Sequence, residues 1–222
     1  MRFTRAELAA FRGHTLPDLY GSDTRVLFVG INPGLRSVAV QAHFGGGSNR
    51  FFPALHRAGI VDRRIDASEG LLAQDRARLL ERGVGITSIV PAASARADEL
   101  TAAELVAGAV ALAERIERIA PATVAVLGIT AYRTAFGNPD ARPGLQRDRL
   151  GDVPVWVVPN PSGLNRHASL DDLARAYGEV AVAGGIVLFP TPPPPTVAAP
   201  DAAKGGVAAG RTAGSTGRRE CP

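Results

Sequence analysis

Two segments of this chain carry groups suited to holding a small polar ligand, and both lie at the end of apolar, β-branched runs. The first, Gly30-Ile31-Asn32-Pro33-Gly34, closes the run Arg25–Asn32. The second, Asn160-Pro161-Ser162-Gly163-Leu164-Asn165-Arg166, closes the run Val153–Asn160. Gly30 and Gly34 permit close backbone approach to a ligand, Pro33 stiffens the turn, and the Asn32 amide offers both a donor and an acceptor. Taken alone, Asn-Pro-Gly is equally a good turn and nothing more.

Several other chemistries are disfavoured by residue type and spacing. The single cysteine, Cys221, cannot build a disulfide framework, a four-cysteine zinc site or an iron–sulfur cluster. His14, His43, His56 and His167 show no mutual spacing that suggests a metal site. Ser162 sits in Pro-Ser-Gly rather than in the G-x-S-x-G elbow of an esterase, and no Gly-Lys-Ser/Thr follows Gly45-Gly46-Gly47 to make a phosphate cradle.

The elements that must position the two loops follow from periodicity. Continuous apolar runs predict buried strands over Arg25–Asn32, Val84–Val90, Thr123–Gly128 and Val153–Asn160. Between them, helices are predicted over Asn49–Gly59, Glu69–Arg82, Thr101–Ile119 and Thr130–Phe136, with Ser169–Ala183 closing the domain. Leu71, Leu72, Leu79 and Leu80 are expected on one helical stripe. A Thr-x-x-Glu capping box, Thr101 to Glu104, starts the third helix, and Ser169 is the expected cap of the last. Strands separated by helices imply right-handed crossovers, hence an α/β fold: a three-layer α/β/α sandwich with a central, mainly parallel four-stranded sheet. In such sheets ligands sit outside the carboxyl ends of the strands, where both loops fall.

A chain of 222 residues, 45% hydrophobic and 21% charged, can bury a full core unaided. The domain is expected over residues 1–188. From Phe189 the composition turns to Pro, Ala, Gly and Thr, which predicts a disordered tail over 189–222. The net charge of +4 favours an anionic partner only weakly; the tail's Lys204, Arg211, Arg218 and Arg219 against Asp201 and Glu220 supply +2 of it. No apolar run approaches a membrane span, and the N-terminal segment scatters charge where a signal peptide needs an apolar stretch. With one cysteine, the chain reads as intracellular and is expected in the cytoplasm; abundant Ala, Arg and Gly suggest a GC-rich bacterial genome.

The segment after the first loop, Arg36 to Ile60, adds Ser48-Asn49-Arg50-Phe51-Phe52. Together with Gly-Ile-Asn-Pro-Gly and Asn-Pro-Ser-Gly-Leu-x-Arg, it makes the chain resemble the mismatch-specific uracil-DNA glycosylase and thymine-DNA glycosylase family over most of residues 25–180. The resemblance implies a role for each matching position. Asn32 stands where the family's catalytic asparagine holds the water that attacks the sugar C1′. Phe44 stands where an aromatic ring stacks on the flipped pyrimidine, with backbone groups around Ile31 and Phe44 reading its polar edge, and Ser37 and Asn49 belong to the same pocket. Gly163, Leu164, Asn165 and Arg166 match the wedge whose leucine fills the gap left in the duplex. It implies a monomer acting on double-stranded DNA with no metal, cofactor or lyase lysine.

Elementary physics is consistent with those roles. A base must leave the stack before excision, at a cost of a few kcal/mol that falls for a mismatch. Stacking on an aromatic ring returns about 1–3 kcal/mol, and an apolar wedge stabilises the opened step. Asparagine is not a general base at neutral pH, so water would be positioned rather than deprotonated and turnover would be low. No aspartate neighbours Asn32 in its loop, unlike the faster uracil-specific relatives.

Each residue has a plainer alternative. Phe44 can be a core plug beside the Gly45-Gly46-Gly47 turn, Asn49 and Arg50 can cap the next helix, and Asn160 can bond its own turn. Leu164 can be an incidental exposed leucine, while Arg166 suits a phosphate contact. Three positions depart from the family: Gly45-Gly46-Gly47 suggests a looser pocket lip, Ser88 is shorter than the polar residue of some relatives, and Asn165 replaces a common serine. The expected activity is removal of uracil mispaired with guanine, with thymine and ethenocytosine as secondary bases. Glycosylases for hypoxanthine or xanthine, and a weakly catalytic lesion-binding module, are the alternatives.

Overall fold

Three strands of the protein, β1 (Val26–Gly30), β2 (Val84–Ser88) and β3 (Thr123–Leu127), are buried at every residue, as a sheet covered on both faces requires. A computed structural model describes residues 3–190 and shows how they assemble. With β4 (Gly144–Leu150) and β5 (Val153–Val158) they form one five-stranded sheet in the order β2-β1-β3-β5-β4. All pairings are parallel except that of β4 with β5. Side chains alternate between two cores. Val26 and Phe28 of β1, with Ala125 and Leu127 of β3, face a cluster that contains Phe51, Leu55, Leu79, Leu173 and Tyr177. Leu27, Val29, Val124 and Val126 face a second cluster containing Leu105, Leu112, Ile116 and Tyr132. Helices α3 (Phe51–Arg57), α4 (Ala73–Glu81) and α7 (Leu170–Ala183) thus cover one face, and α5 (Ala102–Ile119) and α6 (Ile129–Ala135) the other. Two short helices, α1 (Arg5–Ala9) and α2 (Leu35–Ala39), complete the set.

The expected α/β architecture is present, but the sheet has five strands rather than four. Gly-Leu-Gln-Arg-Asp-Arg-Leu over β4 has no apolar alternation because the strand is an edge: it is mostly exposed, and its register shifts between Leu145 and Arg149. Charged side chains on an edge discourage pairing with another chain. The helix expected over Glu69–Arg82 is also shorter, and the proposed leucine stripe breaks with it. Gly70 has φ of 118°, outside helical space, and Leu72 is the extended residue before the helix, 56% exposed, whereas Leu79 is fully buried. Leu71 packs against the first core from outside the helix.

Capping follows the sequence closely. Thr101 Oγ1 accepts from the Glu104 N–H while the Glu104 carboxylate accepts from the Thr101 N–H at 2.8 Å, and Ser169 pairs with Asp172 in the same way. At the chain's far end Phe189, expected as the first tail residue, is tied to the domain. Its N–H donates to the Gly59 carbonyl at 2.7 Å and the Arg82 guanidinium lies over its ring. Residues from 191 onward, where the rest of the expected tail falls, lie outside the described residues. Thr101→Ala is expected to destabilise the fold by about 1 kcal/mol, read as a lowered urea midpoint at unchanged m-value.

Candidate active site at the carboxyl edge of the sheet

Because β1, β2, β3 and β5 are parallel, the segments leaving β1, β2 and β5 emerge at one edge. There they enclose a cavity of about 510 Å³. Ile31, Asn32, Pro33, Gly34, Ser37, Phe44 and Asn49 line it from one side, and Asn160, Ser162, Gly163, Leu164 and Asn165 from the other. Of the expected site residues only Gly30 and Arg166 fall outside the lining. Gly30 lies beneath the Phe44 ring, whose edge is 3.5 Å from where a Cβ at residue 30 would stand, and Arg166 is exposed beyond the rim.

The Asn32 amide is fixed. Its Nδ2 donates to Ser94 Oγ at 2.8 Å and approaches the carbonyls of Pro33 and Ala92 at 3.3 Å. Ser94 Oγ donates its own proton to the Arg96 carbonyl at 2.6 Å, so toward Asn32 it can only accept. That directionality settles which end of the amide is nitrogen and leaves Oδ1 as the acceptor not engaged by these partners. The loop backbone is held as firmly: Ile89 and Val90 donate to the carbonyls of Gly30 and Ile31, and Ser94 bridges Gly34. Ser94, 6% exposed, was not marked by any sequence feature; a serine in Ala-Ala-Ser-Ala has no motif.

Phe44 is both a core contact and a cavity residue. One ring face stacks on Phe51 at 4.1 Å and 28°, joining it to the first core, while the residue also lines the cavity. Its φ of 56° places an aromatic residue in left-handed space, a strained conformation of the kind found at ligand sites. The turn that follows depends on Gly45, where a Cβ would meet Val40 Cγ2 at 2.7 Å and two backbone carbonyls at 3.0 Å. Gly46 and Gly47 face open space, so nothing packs behind the lip at those positions.

The second loop is wound on itself. Asn160 Oδ1 accepts from the Ser162 N–H at 2.9 Å, Asn165 Nδ2 donates to the Asn160 carbonyl at 2.8 Å, and Ser162 Oγ accepts from the Leu164 N–H at 3.3 Å. Asn160 therefore bonds its own turn and lines the cavity as well. Leu164 projects from this frame 81% exposed. Asn49 accepts from the Phe51 N–H at 2.9 Å at the start of α3, whereas Arg50, at the N-cap position, makes no side-chain cap there. Its guanidinium crosses to the second loop and donates to the carbonyls of Ser162, Asn165 and Ala168 at 3.1, 2.7 and 2.6 Å.

Charge in the cavity wall comes from Arg36 in α2 and from a segment that carried no expected site residue. Arg96 and Asp98 line it as an ion pair, with Arg96 Nε 2.9 Å from Asp98 Oδ1; that bond and the carboxylate charge raise the Arg96 pKa. The loop of Asn32 lacks an aspartate, but the cavity does not lack a carboxylate. His43 also lines the cavity, with Nε2 2.9 Å from the Pro17 carbonyl, which makes Nε2 the protonated nitrogen. Burial pushes its pKa below the ordinary imidazole value of 6.5 and Arg76 adds to that, against the Pro17 bond and Asp18. No group of three or more His, Cys, Asp or Glu among the described residues is placed to hold a metal ion.

With the folded-state pKa of His43 depressed, the unfolded chain takes up the proton first as the pH falls. The stabilisation is complete above about 6.5 and is lost as pH drops through the folded-state value. NMR titration is expected to place the His43 midpoint below 6.5, and His43→Gln to flatten the decline of unfolding free energy just below that pH.

A fixed amide, a half-buried ring backed by a second ring, and an exposed leucine on a bonded loop share one cavity at the carboxyl edge of a parallel sheet. A family model for the uracil DNA glycosylase superfamily matches residues 17–181, a span that takes in every one of these groups. The chain belongs to the uracil DNA glycosylase superfamily, hydrolases that release a base from DNA.

Proposed function

We propose that this protein is a monofunctional, mismatch-specific glycosylase that hydrolyses the N-glycosidic bond of uracil paired with guanine in double-stranded DNA. It leaves an abasic site and acts as a monomer, with thymine and ethenocytosine as secondary bases. The observation that carries the reading is the Asn32 amide, held by Ser94 so that Oδ1 is free to accept from a water in the cavity that Phe44 lines.

The mechanism follows from what each group can do. Leu164, exposed on a bonded loop, enters the duplex and stabilises the opened step. The flipped pyrimidine stacks on the ring face of Phe44 opposite Phe51, with Ile31, Ser37 and Asn49 around it. As the C1′–N1 bond lengthens, positive charge develops on the sugar and negative charge on the base, in the manner of glycoside hydrolysis. The water on Asn32 Oδ1 adds to C1′, its proton leaves to solvent, and the base departs with the bonding pair. An amide cannot take that proton at neutral pH, so the contribution of Asn32 is position and the rate is modest. Arg166, beyond the rim, suits a phosphate contact.

The test is single-turnover base release from duplexes carrying one G·U, A·U, G·T, hypoxanthine or xanthine site, with alkaline cleavage of the product strand. G·U is expected to be cleaved fastest. Asn32→Ala is expected to lose on the order of 10²-fold in rate with binding retained. Ser94→Ala should lose about tenfold, the scale of one positioning hydrogen bond, with Ser94→Thr restoring most of it. Binding of G·U DNA without release of any base would replace this reading with a lesion-binding module. Fastest release of hypoxanthine or xanthine would shift it to a purine glycosylase.

A further inference from the structure

We infer that Arg50 is a positioning residue that couples the wedge to the base pocket, so that insertion of Leu164 and seating of the base against Phe44 are one event; this rests on the glycosylase reading above. Arg50 follows Asn49, a pocket residue, and precedes Phe51, the ring on which Phe44 stacks. Its backbone N–H donates to the Pro161 carbonyl at 3.0 Å, and its guanidinium donates to the carbonyls of Ser162, Asn165 and Ala168. Among the described residues it has no ion pair, so three carbonyl dipoles at the base of the wedge satisfy the charge, while Nε is buried without a partner. A planar fork matches that set of acceptors; a lysine ammonium is a single point and does not span it.

A second contact joins the same two loops independently of Arg50. A Cβ at Gly163 would stand 2.8 Å from the Cβ, Oγ and carbonyl oxygen of Ser48, so the wedge passes directly against the pocket lip. The backbone on either side of Leu164 is therefore held by Arg50 at Ser162 and Asn165 and by Ser48 at Gly163, and both are continuous with the loop that carries Phe44. The coupled step is separation of the base from the stack, and it precedes the chemistry at Asn32.

The experiment compares Arg50→Lys, Leu164→Ala and Gly163→Ala with wild type, each confirmed as folded by circular dichroism. Single-turnover release is measured from a G·U duplex and from one with a pyrene nucleotide opposite the uracil, which fills the vacated space in place of the wedge. Unstacking is read on the G·U duplex with 2-aminopurine beside the uracil. Arg50→Lys and Gly163→Ala are expected to behave as Leu164→Ala does: roughly tenfold or more slower on G·U, reduced 2-aminopurine amplitude, and recovery toward wild type opposite pyrene. Asn32→Ala is not rescued, and adding Arg50→Lys to Leu164→Ala costs little further. A wild-type unstacking amplitude in Arg50→Lys, or a loss that pyrene does not relieve when it relieves Leu164→Ala, overturns the proposal. If wild type releases no base at all, the glycosylase reading fails, while the amplitudes still report whether Arg50 holds the wedge.

Discussion

The site depends on a half-buried guanidinium without a carboxylate. Arg50 binds three backbone carbonyls of the loop after β5 from a position in the segment that enters α3. Loops of this length are ordinarily the most mobile parts of an α/β fold, because their backbone groups exchange with water. Here the oxygens of Ser162, Asn165 and Ala168 face a cation instead. Removing the cation would leave buried acceptors unpaired, which is what makes the geometry specific. Tyr177 adds an anchor at the loop's start through its hydroxyl, which donates to the Pro159 carbonyl at 3.0 Å; its burial raises the phenol pKa well above the ordinary value.

The opposite wall is fixed by different means. The loop after β1 is extended in pairing beyond the sheet: the carbonyls of Gly30 and Ile31 accept from residues that follow β2, and Gly34 bridges Ser94. The strand therefore fades into the site through continued backbone bonds, and Asn32 sits within that framework rather than on a free loop. Its amide orientation then follows from the direction of a single proton, that of Ser94 Oγ, committed to the Arg96 carbonyl. Preorganisation here consists of backbone acceptors arranged so that only one orientation of a neutral side chain satisfies them.

What was legible in the sequence were the features set by local pattern. Fully buried strands appear as unbroken apolar runs because both faces are covered, and the capping boxes at Thr101 and Ser169 are local by construction. The two loops were legible as well, since Asn-Pro-Gly and Pro-Ser-Gly-Leu combine turn residues with groups that have no reason to cluster otherwise. β4 was not, because an exposed edge strand is defined by its single neighbour and not by its own pattern. Ser94 was missed, and Arg50 was legible only as a motif residue able to cap the next helix, for a related reason. Their partners are 62 and 112 to 118 residues away, so nothing in the adjacent sequence shows the bonds they make. Asp98 entered the cavity through tertiary structure alone.

The charges at the cavity bear on where discrimination arises. Asp98 is the carboxylate of the wall and is bonded to Arg96, while Arg36 adds a second guanidinium to the lining, so the wall offers no free carboxylate to a developing cation. His43 is held neutral by burial. In the proposed reaction, stabilisation of the transition state would then come largely from the substrate's own phosphates and from water placed on Asn32, a weaker arrangement than a free carboxylate beside C1′. With chemistry of that strength, selection would be concentrated in the step that delivers the base. A base already weakly paired leaves the stack at lower cost, by a margin within the few kcal/mol of flipping, and on the proposed reading the stacked Phe44–Phe51 rings would favour any planar pyrimidine that arrives. On the proposed reading, specificity for a mispair would require no polar contact that distinguishes it; it would follow from a rigid wedge and pocket set against a duplex that opens more easily at one step than at its neighbours.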